Sequence, residues 1–191
     1  GLGEEALLTV ENQSGPADKE RFVHGVEQAV LAGRADIGVH SAKDLPGEMT
    51  SGLVIAAVPV RADARDAWVG VGGSLDQIPA GARVGTSSLR RRSQLLALRP
   101  DLEIVPIAGN VDTRLAKLRA GEVDGLVLAM AGLQRLGRAD EVAFAFETDQ
   151  MTPAAGQGAL VVQTRTGREA AVAAAGDDRS RIELAAERAA V

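Results

Sequence analysis

The sequence predicts an α/β fold made of two similar lobes that face each other across a cleft. The main observation is a unit of helix, strand and loop that occurs twice. In the first copy, helical periodicity over Phe22–Ala32 stops at Gly33 and leads to the short strand Ile37–Val39. In the second copy, 88 residues later, helix Val111–Leu118 leads through a similar turn to the apolar strand Gly125–Ala129. The matching turns are Ala32-Gly-Arg-Ala-Asp36 and Ala120-Gly-Glu-Val-Asp124. Two unrelated αβ units would give the same pattern, so this alternative stays open.

The other elements follow from apolar runs and the residues that stop them. Further strands are predicted at Leu53–Val60, Ala67–Val71, Ala82–Gly85, Ile104–Ile107 and Leu160–Gln163. Further helices are predicted at Leu89–Leu98, which Pro100 ends, and at Ile182–Val191. Without a third domain the last helix has no obvious partner, so we expect it either to fray or to pack against a neighbour. A small-residue turn leads from the second copy's strand to Gln134 and Arg135. We expect Arg61–Arg65 to cross between the lobes, Thr152–Gly158 to return, and Trp68 to pack in the second lobe.

Composition limits the functional classes. The chain has 191 residues, 46% of them hydrophobic, which suffices for one large domain or two modest lobes. The net charge of −5 argues against a general nucleic-acid binder, yet residues 83–119 carry eight basic and three acidic side chains. With no cysteine, disulfides and thiolate metal ligands are excluded, and two histidines make no case for a metal centre. No signal peptide or membrane-length apolar run is visible, so we expect a cytoplasmic protein. A monomer is a separate expectation.

The stretch Gly85-Thr-Ser-Ser-Leu-Arg-Arg-Arg92 predicts an anion site at a helix N-terminus. Ser87 or Ser88 can cap the helix, while the open N–H groups and the helix dipole favour an anion. The guanidinium fork of arginine suits a carboxylate or phosphate. Side chains at three consecutive positions project about 100° apart, so at most two of these arginines can face one ligand. A solvated, charged first turn is the alternative.

A second candidate site is the stretch His40-Ser-Ala-Lys-Asp-Leu-Pro46. It follows the run Ala35–Val39, which we predict to be a short buried strand. Lys43 and Asp44 then lie just past the carboxyl end of a strand, where open α/β sheets place their ligand sites. A solvated Lys–Asp pair is the alternative. His40 is expected to be a buried, hydrogen-bonded histidine rather than a catalyst.

Together these stretches resemble the porphobilinogen deaminase (hydroxymethylbilane synthase) family of tetrapyrrole synthesis. The other matching segments, in the family's order and spacing, are Arg65-Asp-Ala-Trp68, Gly109-Asn-Val-Asp-Thr-Arg-Leu115, Leu128-Ala-Met-Ala-Gly-Leu-Gln-Arg-Leu136, Pro153-Ala-Ala-Gly-Gln-Gly-Ala159 and Ala186-Glu-Arg-Ala189. The resemblance implies two lobes like those of type II periplasmic binding proteins, joined by a double-stranded hinge. It also implies a transferase of haem biosynthesis that condenses porphobilinogen stepwise into hydroxymethylbilane and releases ammonia.

The resemblance further implies roles for individual residues. Asp44 matches the catalytic carboxylate, which interacts with pyrrole nitrogens and stabilises the cationic azafulvene formed as ammonia leaves. Arg114 and Arg135 match arginines that bind substrate carboxylates. The positions that match binding of the dipyrromethane cofactor are Ser41, Lys43, Thr86, Ser87, Ser88, Arg90, Arg91, Asn110 and Arg114. No metal ligand, nucleic-acid partner or membrane contact is implied; the expected partner is the small molecule porphobilinogen.

The chain also departs from the family pattern. It opens with Gly1–Glu4 in place of a loop bearing an arginine and a serine, Asn12–Glu20 replaces a basic, glycine-rich segment, and Ala108 replaces a carboxylate-binding arginine. The family's third domain has a cysteine that anchors dipyrromethane, whereas this chain has none. We expect residues 1–60 plus 157–177 to form lobe 1, residues 61–156 lobe 2, and residues 178–191 the start of a missing third domain. The chain as it stands is expected to be inactive.

Three functions therefore remain open. The first is a two-lobe part of a porphobilinogen deaminase. The second is a noncatalytic module that binds an acidic small molecule in the inter-lobe cleft. The third is a phosphate or nucleic-acid contact through Arg90–Arg92, which the acidic net charge and the scarcity of stacking aromatics disfavour.

Overall fold

The structure, a computed structural model, describes residues 16–191, with side chains from residue 23 onward. Within this range the helices are α1 (Pro16–Leu31), α2 (Leu89–Leu98), α3 (Val111–Arg119), α4 (Met130–Arg135) and α5 (Asp178–Ala189). The strands are β1 (Ile37–Ser41), β2 (Leu53–Ala57), β3 (Asp66–Gly70), β4 (Arg83–Gly85), β5 (Glu103–Val105), β6 (Gly125–Ala129), β7 (Phe144–Ala145) and β8 (Leu160–Arg165). The departures noted at Gly1–Glu4 and Asn12–Gly15 lie outside the described residues.

The strands form two sheets, one for each predicted lobe. The first sheet has the order β1-β8-β2 and is antiparallel throughout. The second has the order β5-β4-β6-β3-β7; its β5, β4 and β6 are parallel, and β3 is antiparallel to both β6 and β7. The chain enters the second sheet through residues 58–65 and returns through residues 146–159. These two connections run side by side, and a hydrogen bond of 3.1 Å from the Ala62 N–H to the Gly158 carbonyl joins them. The predicted α/β class with two doubly connected lobes is confirmed.

Both faces of the second sheet are covered by core side chains, because successive residues of its central strands point to opposite faces. Trp68 and Val127 belong to the core on one face, and their neighbours Ala67 and Leu126 belong to the core on the other. Trp68 is fully buried, which confirms its predicted place in the second lobe. A separate core on the first sheet combines side chains of α1, β8 and α5, namely Val23, Val161 and Leu184, with others.

The repeated unit is largely as predicted, with two differences. Gly33 ends α1 with a positive φ of +70°, a conformation that glycine adopts at low cost. The helix itself begins at Pro16 rather than Phe22, since proline is favoured in the first helical turn. In the second copy, β6 has the predicted bounds. The small-residue turn predicted after β6 is instead the short helix α4, whose Met, Ala, Leu, Gln and Arg residues are good helix formers.

The prediction of a buried first strand is wrong. In β1, only Gly38 and His40 are buried, whereas Ile37 is 41% and Val39 51% exposed. The reason is that β1 lies at the edge of the described sheet and alternate residues of a strand point to opposite faces. Strand β2 is shorter than predicted and ends at Ala57, close to a register irregularity. The bounds of β3, β4, β5 and β8 differ from the prediction by one or two residues.

The last helix packs against the first sheet, which is one of the two alternatives expected for it. Helix α5 begins at Asp178, four residues earlier than predicted, because Asp177 caps it by accepting a hydrogen bond from the Ser180 N–H over 2.8 Å. Leu184, 3% exposed, packs in the core of the first sheet. The assignment of residues 178–191 to a third domain stays a prediction, as do the exact lobe boundaries.

Candidate functional site

The predicted anion-binding residues gather at one edge of the second sheet. Thr86–Ser88 follow β4, Asn110 lies in the loop after β5, and Arg135 belongs to the helix that follows β6. Because β4, β5 and β6 are parallel, their carboxyl ends lie at the same edge, where α/β sheets bind ligands. The Ser41–Asp44 loop likewise starts where β1 ends.

The three hydroxyl residues build the turn that starts α2. Ser88 is the N-cap, with its Oγ accepting from the Arg91 N–H over 3.4 Å. The Ser87 hydroxyl donates to the Ile107 carbonyl over 2.8 Å and accepts from the Ile107 N–H over 3.0 Å. Buried Thr86 accepts a hydrogen bond from the Ser88 N–H over 3.2 Å. Their polar atoms thus hold the backbone in place, and a role in cofactor binding stays a prediction.

Arg91 is held by a buried carboxylate. It is 8% exposed, and its Nε and Nη2 lie 2.9 and 2.7 Å from Oδ1 of Asp66, which is fully buried. Its Nη1 donates to the Val127 carbonyl over 3.1 Å. Burial lowers the pKa of Arg91, although the Asp66 carboxylate opposes that effect. Each terminal nitrogen of this guanidinium is therefore bonded within the protein.

Arg90 is more open than Arg91 and shares the same carboxylate. Its side chain is 26% exposed, and its Nη2 forms an ion pair with Oδ2 of Asp66 at 2.7 Å, although Oδ2 accepts no hydrogen bond. Its Nη1 donates to the carbonyl of Thr152, on the returning connection. Arg92, next in sequence, is exposed. The three arginines thus have three different environments, and the number of them that face a ligand stays a prediction.

Arg90 and Arg91, which share Asp66, form an arginine cluster, and Arg114 lies half buried close to it. Its Nε donates to the Gly109 carbonyl over 2.8 Å. Burial lowers the pKa of Arg114, and the nearby charge of Arg91 lowers it further. Both causes mean that the positive charge is poorly stabilised, so a bound anion would lower the free energy of the site. Asn110 caps α3 by accepting from the Thr113 N–H over 2.8 Å.

Arg135 contacts the returning connection. Its Nη2 donates to the Gly158 carbonyl over 2.8 Å. On the other side of that connection, Gln157 donates to Asp66 Oδ1 over 3.0 Å. The connection therefore joins the arginine cluster to α4.

The Ser41–Asp44 loop packs on the same connection from the first sheet. Residues Ala42–Asp44 form a 3₁₀ turn, and the Ala42 N–H donates to the Ala159 carbonyl over 3.0 Å. Gly156 approaches so closely that a Cβ there would lie 2.9 Å from the Cβ of Ala42 and 3.0 Å from the Lys43 nitrogen. Ser41, Lys43 and Asp44 are all half buried. Thus the loop and the arginine cluster both contact residues 152–159.

His40 belongs to a buried polar network beneath this loop. Its Nε2 lies 3.1 Å from Gln163 Oε1, while Gln163 Nε2 donates to Glu27 Oε1 over 2.8 Å. The Thr50 hydroxyl donates to the other Glu27 oxygen over 2.7 Å. Burial lowers the pKa of His40, although the bond to Gln163 and the charge of Glu27 oppose that effect. The expected buried, hydrogen-bonded histidine is confirmed, but its Nδ1 has no hydrogen-bond partner.

One cavity of the described structure lies apart from these residues. A cavity of about 250 Å³ is lined by residues 56–58 of the first sheet and by Ala173, Gly176–Asp178 and Arg181, and it includes none of the predicted site residues. Among residues 16–191, no group of three or more His, Asp or Glu side chains is arranged to hold a metal ion. Nor does any helix in that range have the length and apolar character needed to cross a membrane.

Comparison with known proteins decides the family. The family model described as porphobilinogen deaminase, dipyromethane cofactor binding domain, matches residues 9–173. The chain belongs to the porphobilinogen deaminase family. Porphobilinogen deaminase from Syntrophus aciditrophicus is 50% identical over 90% of this chain and 57% of its own length. That from a Roseiflexus species is 51% identical over 90% of this chain and 58% of its own length. The chain thus spans somewhat more than half the length of these two relatives.

Solved structures with similar folds include two binding proteins. One is a TRAP periplasmic solute binding protein from Desulfovibrio salexigens, with a TM-score of 0.49 and 14% identity over 87% of this chain and 63% of that chain. The other is the substrate binding protein of a methionine transporter from Streptococcus pneumoniae, with a TM-score of 0.48 and 14% identity over 93% of this chain and 90% of that one.

Sequence reasoning missed the residues that hold the porphobilinogen deaminase motifs in place. Asp66 is the main example, since it pairs with both Arg90 and Arg91. A charged residue at the start of an otherwise apolar strand was the available signal, because a buried charge requires a partner. Gln157, 1% exposed and bonded to Asp66, gave no such signal among the small residues around it.

Proposed function

We propose that this chain forms the substrate- and cofactor-binding cleft of a hydroxymethylbilane synthase, which condenses porphobilinogen stepwise into hydroxymethylbilane and releases ammonia. Family membership supports the reaction class. The observation that carries the proposal is that two groups contact the same connection, residues 152–159. The Asp44 loop contacts it from the first sheet, and the arginine cluster contacts it from the second. A carboxylate for proton and cation chemistry and arginines for acidic side chains would then serve one ligand.

Electrostatics support an acidic pyrrole as that ligand. Porphobilinogen carries two carboxylates, and each condensation step adds two more. Arg114 is half buried with a lowered pKa, and an incoming carboxylate would offset the cost of that burial. Arg90 and Arg135 now donate to the carbonyls of Thr152 and Gly158, neutral acceptors that a carboxylate can replace with a stronger, charge-assisted bond.

Asp44 is proposed to be the catalytic carboxylate. In this role it would contact the pyrrole nitrogen of the bound substrate and stabilise the positive charge that develops as ammonia departs. Lys43, its neighbour, would bind an acidic side chain of the ligand as a point charge. The bonds that hold Ala42 to Ala159 keep this loop in register with the connection.

The residues present fit noncovalent recognition of dipyrromethane better than its covalent attachment. Arg90 and Arg114 would bind its carboxylates, with Ser41 and Lys43 across the connection. Arg91 is already bonded to Asp66 and Val127, so it would contribute its charge rather than a free donor pair. When bound, dipyrromethane supplies the primer to which substrate units are added. The sequence contains no cysteine to form a thioether with it.

The proposal also includes a monomeric protein in the cytoplasm with porphobilinogen as its small-molecule partner. Sedimentation of the purified chain tests the monomeric state. A mass twice that of the 19.7 kDa chain would refute it.

Calorimetric titration of the 191-residue chain with porphobilinogen tests the binding function. Arg114→Ala and Arg90→Ala should each weaken binding by about 1.5–3 kcal/mol, which is tenfold or more, because each removes a charge-assisted hydrogen bond. The matched control is Arg92→Ala, an exposed neighbour on the same helix. Equal, negligible effects of all three changes would support the solvated-face interpretation instead.

A further inference from the structure

The last turn of α5 contacts the loop that carries Asp44. Nη2 of Arg188 donates to the carbonyls of Pro46 and Gly47, over 2.7 and 2.9 Å. One turn earlier on α5, Leu184 packs in the same core cluster as Leu45. The helix therefore holds both a side chain and two backbone carbonyls of the segment that directly follows Asp44.

The same helix is bonded to the connection on which this loop packs. The Glu187 carboxylate accepts from both terminal nitrogens of Arg61, over 2.6 and 2.9 Å, and from the Gly156 N–H over 2.7 Å. Burial alone would raise the pKa of Glu187, but the bonds from Arg61 and Gly156 outweigh it, so the pKa is lowered and the carboxylate stays charged. Gly156 in turn lies against Ala42 and the Lys43 nitrogen.

Consecutive residues of α5 thus hold the Asp44 loop from two directions. Glu187 acts through Gly156 on the residues before Asp44, and Arg188 acts directly on the residues after it. Pro46 has no N–H, so the backbone there cannot be held by its own donor, and the bonds to its carbonyl become more important. An arginine that bridges two successive carbonyls limits rotation of the peptide between them.

We propose that Arg188 is a positioning residue that holds the loop so that the Asp44 carboxylate faces bound porphobilinogen. The inference rests on the proposed function, because it assigns Asp44 a ligand. It extends that function to a residue on a helix that the sequence placed outside both lobes.

The test compares Arg188→Ala and Arg188→Lys with Arg181→Ala on the 191-residue chain. Arg181 is a matched control, since it is exposed on the same helix and its recorded ion pair, with Asp178 at 3.3 Å, is a neighbour within that helix. Two quantities are measured: porphobilinogen affinity by calorimetry, and amide hydrogen exchange of the loop. Thermal unfolding of each variant shows whether the whole fold has changed.

Arg188→Ala should weaken porphobilinogen binding roughly three- to tenfold, the range expected for one hydrogen bond, while Arg181→Ala should leave it unchanged. Exchange at Asp44, Leu45 and Gly47 should accelerate in Arg188→Ala, and Arg188→Lys should recover part of the protection. In an Asp44→Asn background, the change at Arg188 should have no further effect on affinity, because residues that act through one another are not additive.

The outcomes separate this inference from the function on which it rests. An affinity loss that is the same with and without Asp44, or loop exchange unchanged by Arg188→Ala, would overturn the positioning role. If the unmodified chain does not bind porphobilinogen, the proposed function fails and the exchange measurement alone decides. Accelerated exchange would then support loop positioning by Arg188, and unchanged exchange would refute it.

Discussion

Replacing Arg91 by alanine should cost the protein more stability than replacing either neighbouring arginine. Arg91 is 8% exposed and makes two contacts with Asp66 and one with the Val127 carbonyl. Its removal leaves a fully buried carboxylate short of a counterion. Breaking a buried ion pair by removal of one partner costs about 3–5 kcal/mol.

The structure places the expected cost near the lower end of that range. Asp66 would still have Arg90 at 2.7 Å and the Gln157 amide at 3.0 Å, so its charge would not be left entirely without partners. We therefore expect a loss of about 3 kcal/mol in the free energy of unfolding for Arg91→Ala. The exposed control, Arg92→Ala, should change it by less than about 0.5 kcal/mol.

Urea denaturation of Arg90→Ala, Arg91→Ala and Arg92→Ala checks this prediction. The slope of the unfolding transition is compared among the three variants. A change in midpoint at constant slope reports stability, whereas a changed slope reports a different denatured or native state. A loss below about 1 kcal/mol for Arg91→Ala would refute the reasoning, since it would mean that the Asp66 carboxylate is stable without Arg91. Asp66→Asn should cause a comparable loss.

Three further predictions concern other parts of the molecule. Because the folded-state pKa of His40 is lowered from 6.5, the unfolded chain binds the proton first as the pH falls below that value. The free energy of unfolding should therefore decrease by at most about 1.4 kcal/mol per pH unit. Denaturation at a series of pH values should show that His40→Gln removes this dependence, and a matching change in exposed His24→Gln would contradict the prediction. Gly125→Ala should destabilise the folded protein by about 1–3 kcal/mol, because a Cβ there would lie 2.1 Å from the Trp68 ring. Gly132→Ala should not, since its Cβ would lie 3.9 Å from the nearest atom, and equal midpoints of thermal unfolding for the two variants would refute this prediction. Intact-mass spectrometry of the purified chain should give the unmodified sequence mass, since the chain has no cysteine for a dipyrromethane thioether, and an added mass of two linked pyrroles would show another attachment.

The fold could be predicted where the signals are local. The bounds of α2 and β6 agree with the sequence because a capping serine, a proline and an uninterrupted apolar run mark them. Burial of β1 could not be predicted in this way, since it depends on which strands lie beside it in the sheet. The partner of α5 was likewise hidden, because Leu184 packs against residues from distant parts of the sequence.

The candidate site shows the same division between local and long-range information. Helical spacing alone implies that Arg90, Arg91 and Arg92 differ in direction, but it cannot say which of them meets a buried carboxylate. Asp66 lies 25 residues before Arg91 in the sequence, and its carboxylate reaches the start of α2 because β3 and β4 both pair with β6. An arginine satisfied in this way keeps its charge but has no terminal nitrogen left to exchange for a ligand. All three of Arg90, Arg91 and Arg114 therefore contribute positive charge to the site. We predict that direct contacts to ligand carboxylates are made by Arg90 and Arg114, because their partners include carbonyl oxygens that a stronger acceptor can displace.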